Sequence, residues 1–215
     1  TVARWESVTG VLLVEGYGMT ESAPIALGNP MGPSRRPGTV GVPFPSTDIR
    51  VVDPDQPDVD RPAGEEGELL VRGPQVFQGY WRLPSESAAT LLPGGWLRTG
   101  DIVRVSDDGF VTVVDRIKEL SITGGFNVAP SEVEDMLMRH PDVRDAAVVG
   151  LPRAAGGEEV VAAVQLRDGA VFDQAALREF CRDGLTAYKV PRRISVVDEL
   201  PRSLVGKVLR RSVRD

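Results

Sequence analysis

The chain has 215 residues, 41% of them apolar, and a net charge of -6. That supports one large or two small domains with real cores, and it argues against a general binder of nucleic acid or anionic membranes. No apolar run approaches the roughly 20 residues of a membrane span. No signal peptide is visible, and a single cysteine, Cys181, cannot form an internal disulfide, so a reducing cytoplasm fits. Cys181 lies in a helical pattern and reads as a small core residue. One histidine, His140, excludes a multi-histidine metal site and a Cys/His zinc cluster. It precedes Pro141 at a helix end, where it suits the helix dipole. The lysines are Lys118, Lys189 and Lys207, in a chain otherwise rich in arginine. A lysine there marks a place for a compact, movable point charge in preference to a planar fork.

Residues 1–115 read as strand-rich, with many Gly and Pro turns. The chain begins without Met, at "TVARWESVTGVLLVEGYG", which is expected of a piece of something longer. "VLLVEGYG" is a buried-type apolar run ending in glycines. "TVGVPFPSTDIRVVDPDQPD" gives a strand closed by a Pro/Asp loop, "GELLVRGPQVFQGYW" a strand and an aromatic turn, and "PSESAATLL" a short helix. In "DIVRVSDDGFVTVVDR", Asp108-Gly109 predicts a two-residue hairpin turn. Paired residue numbers then sum to 217, and Asp101 faces Arg116. After Arg116, "SEVEDMLMRH" predicts a helix with a Ser131…Glu134 capping box. "VRDAAVVGL", "EEVVAAVQL" and "RRISVVDEL" are strands, and "DQAALREFCRDGL" is a helix N-capped by Asp173. The mixture predicts a small α+β domain from about residue 117.

Four stretches carry candidate chemistry, each with an ordinary alternative. "YGMTES" ends a strand in Gly16-Tyr17-Gly18, where a ligand can approach the backbone. Tyr17 offers a ring face, Thr20 a hydroxyl and Glu21 a hard oxygen ligand of the kind Mg²⁺ takes beside phosphate. The alternative is a plain glycine turn. In "TGD", Asp101 can grip a vicinal diol with two oxygens, with Arg116 near a phosphate or ribose; the alternative is a cross-strand ion pair. "RIKELSITGGFNVAPSEVE" places Lys118 at a change of pattern and Gly124-Gly125 where an extended ligand can lie, or else forms a linker and a turn. "PRSLVGKVLRR" is either a solvated basic tail or a setting for Lys207. It is not a P-loop, because Pro201 and Val208 stand where Gly and Ser/Thr are needed.

The joint occurrence of "YGMTE", "GELLVRGPQVFQGYW", "GWLRTGD", "DRIKELSITGGFNVAPSEVE" and "PRSLVGKVLRR" resembles the adenylate-forming (AMP-binding) superfamily over nearly the whole chain. "KELSITGGFNVAPSEVE" looks most like fatty-acyl-CoA or aryl-CoA ligases. The resemblance implies the C-terminal part of such an enzyme: the strand-rich, distorted-barrel end of the large AMP-binding domain over 1–115, a hinge at 116–119, and a small mobile α+β domain over 120–215. It implies an ATP-dependent acid–thiol ligase working in two half-reactions; separately, low lysine and high arginine suggest a GC-rich bacterial genome. A carboxylate, expected to be a fatty acid, attacks the α-phosphate of ATP and pyrophosphate leaves; the CoA thiol then attacks acyl-AMP, giving the thioester and AMP. Under this resemblance Glu15, Gly16, Tyr17 and Gly18 border the adenine, with Tyr17 stacked on it. Thr20 bonds phosphate and Glu21 holds Mg²⁺. Asp101 takes the ribose hydroxyls, Val113 packs on the sugar and Arg116 contacts ribose or phosphate. Lys118 is the hinge, Gly124 and Gly125 line the CoA pantetheine path, and Lys207 bridges the carboxylate and the α-phosphate, offsetting their repulsion. Val205 and Ser121 depart from the family pattern. The family's phosphate loop and most of its acyl pocket are not in these residues, so the 215-residue chain alone is expected to be inactive. The alternatives are acyl delivery to a carrier protein and a non-catalytic nucleotide-binding module. A lysine acetyltransferase acting on Lys207 is a candidate partner.

Overall fold

The computed structural model describes residues 2–153, 156–203 and 206–214 and shows a mixed α+β chain. It divides into two units, Thr1–Ile117 and Lys118–Asp215. The first runs α1 (Val2–Thr9), β1 (Gly16–Tyr17), a 3-10 turn (Thr20–Ser22), β2 (Leu27–Gly28), β3 (Val42–Pro43), β4 (Asp48–Val52), β5 (Glu66–Arg72), α2 (Pro84–Thr90), β6 (Leu91–Leu92), β7 (Trp96–Val105) and β8 (Val111–Arg116). β1, β2 and β3 form a small antiparallel sheet. A second, five-stranded antiparallel sheet runs β4-β5-β7-β6, with β8 also on β7. Leu27 of the first sheet and the preceding Ala26 are buried with Leu69, Val71, Val103 and Val111 of the second, and Tyr17 packs against this cluster. β5 is buried from Gly67 through Val71, which is why its apolar residues run on without alternating.

Two expectations change here. "VLLVEGYG" is not a buried strand: Gly16 and Tyr17 alone are paired, through Gly28 and Leu27, and Val11 and Leu12 are 58% and 53% exposed. An apolar run shows what could be buried; the two-residue length of β2 limits what is paired. The β7–β8 turn is also longer than two residues. Ser106 and Phe110 close a loop over Asp107, Asp108 and Gly109, with Ser106 N donating to Phe110 O at 3.0 Å and Gly109 at φ 85°. Next to the loop the paired numbers sum to 216, as for Val103 with Val113; Val114 then bulges out, and Asp101 faces Arg116. The expected pairing is present, reached through two departures that cancel.

The second unit runs from a 3-10 turn (Ile117–Glu119) through β9 (Ser121–Thr123), β10 (Phe126–Val128), α3 (Pro130–Met138), β11 (Val143–Pro152), β12 (Glu158–Leu166), α4 (Gln174–Gly184), β13 (Arg193–Val196) and α5 (Arg210–Arg214). β11 and β12 are antiparallel, while β12 and β13 are parallel, so α4 serves as a crossover helix. Val133 and Leu137 of α3 and Leu177 and Cys181 of α4 share a core with Val148, Val160, Val164 and Ile194. Both helical pairs are spaced i, i+4, one face of a helix. Asp173 caps α4 as expected, accepting from Ala175 N at 2.8 Å and Ala176 N at 3.1 Å. The capping box does not form. Pro130 opens α3 at its first turn and Ala129 is the N-cap, so Ser131 lies inside the helix, and Glu134 instead accepts from Val148 N at 2.8 Å. His140 follows α3, and its Nδ1 accepts from Asp142 N at 3.2 Å. Among the described residues no helix is long and apolar enough to cross a membrane.

Candidate functional sites

In the first unit β1 and β7 bring Tyr17 and Asp101 together across 84 positions of sequence. The Tyr17 hydroxyl donates to Asp101 Oδ2 at 2.6 Å. Arg116 Nε lies 3.1 Å from Oδ1 of the same carboxylate. Asp101 is buried and Arg116 exposed, so the aspartate is the fixed member and the arginine the one open to a ligand. Burial, then the hydrogen bond to Asp101, pushes the Tyr17 phenol far above its ordinary value.

Thr20 and Glu21 sit in the 3-10 turn that follows β1, with Thr20 exposed. Phe77 N donates to Glu21 O at 2.9 Å, and the Tyr80 hydroxyl donates to Glu21 Oε1 at 2.7 Å. That bond is the first cause of a raised Tyr80 pKa. At Gly18 a Cβ would lie 1.7 Å from Pro24 O, so a close approach within the chain already calls for glycine there. Glu15 Oε1 accepts from Gly38 N at 2.8 Å, while its Oε2 is buried without a partner. Val113 is 37% exposed.

Sequence reasoning missed the support beneath Asp101. Glu68 is 1% exposed. It accepts from Arg98 Nε at 3.0 Å and from Gly100 N at 3.2 Å. Arg98 Nη2 also donates to Pro54 O at 2.9 Å. The available signal was a charged residue inside the apolar run "GELLV".

In the second unit, Lys118 is exposed in the 3-10 turn. Gly124 and Gly125 form a two-residue hairpin turn between Thr123 and Phe126, at φ 60° and 84°, with nothing within 4 Å of a Cβ at either. Beside Gly124 is a cavity of about 470 Å³ lined in part by Thr123, Tyr188, Arg153, Arg178, Arg182 and Arg192. Tyr188 stacks on Phe126 with centroids 4.5 Å apart, and the Thr123 hydroxyl is buried without a partner. These arginines were not singled out in the sequence, because they come from three separate stretches.

Lys207 is exposed, and among the described residues its ammonium has no ion pair. Its backbone is pinned: Lys207 N donates to Ser203 Oγ at 3.2 Å, and Ser203 N to Lys207 O at 2.8 Å. Arg202 donates to Gly206 O at 2.6 Å and pairs with Asp145. Three residues on, Arg210 pairs with Glu134 at 2.6 Å and with Glu119. Val205 lies outside the described residues. Ser121 is fully buried, its hydroxyl without a partner.

Comparison with known proteins finds matches over nearly the whole chain. The family model for AMP-binding enzymes matches residues 1–81, and that for the AMP-binding enzyme C-terminal domain matches residues 132–207. The chain belongs to the AMP-binding, adenylate-forming family. It is 45% identical over 212 residues to a long-chain-fatty-acid–CoA ligase of Escherichia coli O6:H1 and 46% identical to that of Salmonella typhimurium, covering 99% of this chain and 37% of each relative. ATP-bound MatB from Rhodopseudomonas palustris matches with a TM-score of 0.92 and 38% identity, over 99% of this chain and 42% of that one. The chain thus spans about two fifths of the length of the proteins it matches.

Proposed function

We propose that this chain carries the ribose and lysine parts of an ATP-dependent acyl-CoA ligase, which joins a fatty acid to CoA through acyl-AMP. The observation that carries the reading is Asp101, buried and held between the Tyr17 hydroxyl at 2.6 Å and Arg116 at 3.1 Å. A carboxylate fixed by two donors still accepts from both hydroxyls of a ribose, having about four lone-pair sites. Tyr17, with Glu15, Gly16 and Gly18, borders the adenine; Val113 packs on the sugar and Thr20 bonds phosphate. Lys207 then meets the α-phosphate and the attacking carboxylate with an unspent charge.

Glu21 fits Mg²⁺ in the way that ion is bound beside phosphates, by one or two carboxylates with the rest of its shell from water and substrate. Tyr80 holds one oxygen of Glu21 and leaves the other open, and no cluster of three metal-ligating side chains exists among the described residues. When bound, the ion would neutralise phosphate charge, and Tyr80 orients Glu21, its protein ligand.

CoA is favoured over a carrier protein as acceptor by the arginine-lined cavity beside Gly124. Guanidinium groups match phosphate oxygens in pairs, and the nucleotide end of CoA supplies phosphates and a ring for Tyr188. Gly124 and Gly125 leave room for pantetheine, and Lys118 is the pivot between units. ATP and CoA as substrates assign the work to the cytoplasm. The exposed Lys207 ammonium is open to an acetyltransferase, which would remove the charge.

The test is a chimera in which this chain replaces the matching stretch of the Escherichia coli ligase. It is expected to form acyl-AMP from a fatty acid and ATP, and acyl-CoA when CoA is added. A folded chimera that forms neither product from short-, medium- or long-chain acids overturns the reading. Thioester formed on a carrier protein but not on CoA overturns the choice of acceptor.

A further inference from the structure

β5 and β7 fall out of register at one place. Glu68 pairs with Ile102 and Leu70 pairs with Arg98, so the single residue Leu69 faces three residues, Thr99, Gly100 and Asp101. β7 therefore carries two more residues than its partner and must bulge there. The bulge needs a residue at positive φ, which Gly100 supplies at 71°. It also leaves backbone groups without ladder partners inside a buried sheet, where an unmade hydrogen bond is costly. Two side chains take up those groups. Thr99 Oγ1 donates to Leu69 O at 2.8 Å and accepts from Asp101 N at 3.1 Å. Glu68 Oε1 accepts from Gly100 N at 3.2 Å.

Glu68 is an expensive choice for this task. A buried ion pair is weak evidence for stability, because desolvation offsets the attraction. Arg98, on the same strand as the bulge, compensates the charge and reaches on to Pro54 O. The pair therefore joins the flanks of the bulge, and the residue at the far edge of the bulge is Asp101.

We infer that Glu68 is a positioning residue: through the Gly100 amide and Arg98 it fixes the bulge that presents the Asp101 carboxylate to a ribose. The inference rests on the proposed role of Asp101. It adds a residue that touches no ligand and acts only through the backbone.

The test uses the ¹⁵N-labelled 215-residue chain titrated with AMP and with 2′-deoxyadenosine 5′-monophosphate. AMP is expected to shift the amides of Tyr17, Gly100, Asp101 and Arg116. The deoxy compound is expected to bind about tenfold more weakly, the loss of one hydrogen bond to a charged group. E68M/R98M removes both buried charges, keeps their bulk, and is expected to bring the two affinities together. Its Gly100 amide should exchange with solvent at least about tenfold faster, for the loss of one acceptor. E68Q keeps one acceptor for that amide and should retain part of the preference. If the double variant does not fold, E68Q alone decides: a faster Gly100 exchange with an unchanged ribose preference overturns the inference. An intact preference in a folded E68M/R98M overturns it as well, leaving Asp101 its role. Wild-type chain that does not distinguish the two nucleotides, or binds neither, overturns the Asp101 assignment and the inference with it.

Discussion

Replacing Tyr17 with Phe removes one oxygen and leaves the ring packed against the core of the first unit. The lost bond is the 2.6 Å donation to Asp101 Oδ2. The Asp101 side chain is 8% exposed, so water cannot easily replace the hydroxyl. Its other partner, Arg116, is 67% exposed, and solvent screens that attraction. The cost is that of a hydrogen bond to a charged group, about 1.5–3 kcal/mol. Urea unfolding followed by tryptophan fluorescence reads it directly, because Trp5, Trp81 and Trp96 all lie in the first unit. With a urea slope near 1–2 kcal/mol/M, the midpoint falls by about 1–2 M at unchanged slope. In a D101N background the same change removes a neutral bond, and the cost should drop to about 1 kcal/mol.

The effect also has a pH signature. Burial and Asp101 raise the Tyr17 pKa above its ordinary value of 10.0. A raised pKa contributes stability that is fully present below pH 10 and is lost as pH rises toward the folded value. The Y17F penalty should therefore be flat up to about pH 10 and shrink above it. A penalty below about 0.5 kcal/mol, the usual range for an uninvolved surface site, or an equal penalty in D101N, would refute the clamp on Asp101.

The second unit has its own reporter. Burial raises the Cys181 thiol to about 11, so the native chain at pH 8 should not react with a disulfide reagent until denaturant opens that unit; prompt stoichiometric reaction would contradict the packing. Asp173→Ala removes the two donations that cap α4 and should cost about 1 kcal/mol, seen as earlier Cys181 exposure with no change in tryptophan fluorescence. Lys207→Ala should leave unfolding within about 0.5 kcal/mol, since its ammonium has no ion pair among the described residues. In the chimera it should slow acyl-AMP formation by about 10²–10³; a rate within a factor of two of the unmutated chimera counts against its role.

What the sequence made legible was set by distance along the chain. Asp173 was readable because its cap is local, two and three residues away. Glu134 was misread because its partners, Val148 and Arg210, are 14 and 76 residues off. Asp101 and Arg116 were readable through a hairpin, although the longer turn and the Val114 bulge had to cancel. Glu68 was not readable, because its meaning depends on Gly100, 32 positions on, and on a bulge that no periodicity announces. At Gly18 the close approach that the fold itself requires is that of Pro24, which the sequence did not announce. A glycine reports that something comes close, without saying what.

The candidate charges Asp101 and Lys207 are held in opposite ways, and the difference has a physical sense. Glu68 and Asp101 are each buried and held by at least two donors. A diol is neutral, so discriminating it takes geometry, and geometry comes from restricting the carboxylate beforehand. Lys207 is restricted only at its root, by Ser203 and by Arg202 on Gly206 O. Its task under the proposed reaction is to meet two anions, one of which changes shape as its bond to pyrophosphate breaks. A point charge on a four-carbon stem can follow that change, provided its backbone is fixed and no resident acid must first be given up. Ser203→Ala therefore isolates the root from the charge: it keeps the ammonium and takes away a 3.2 Å anchor. It should lower the adenylation rate less than Lys207→Ala does, about tenfold for one neutral hydrogen bond, measured as acyl-AMP formed by the chimera. A full Lys207→Ala-sized loss in Ser203→Ala would mean that the loop, and not the charge, sets the rate.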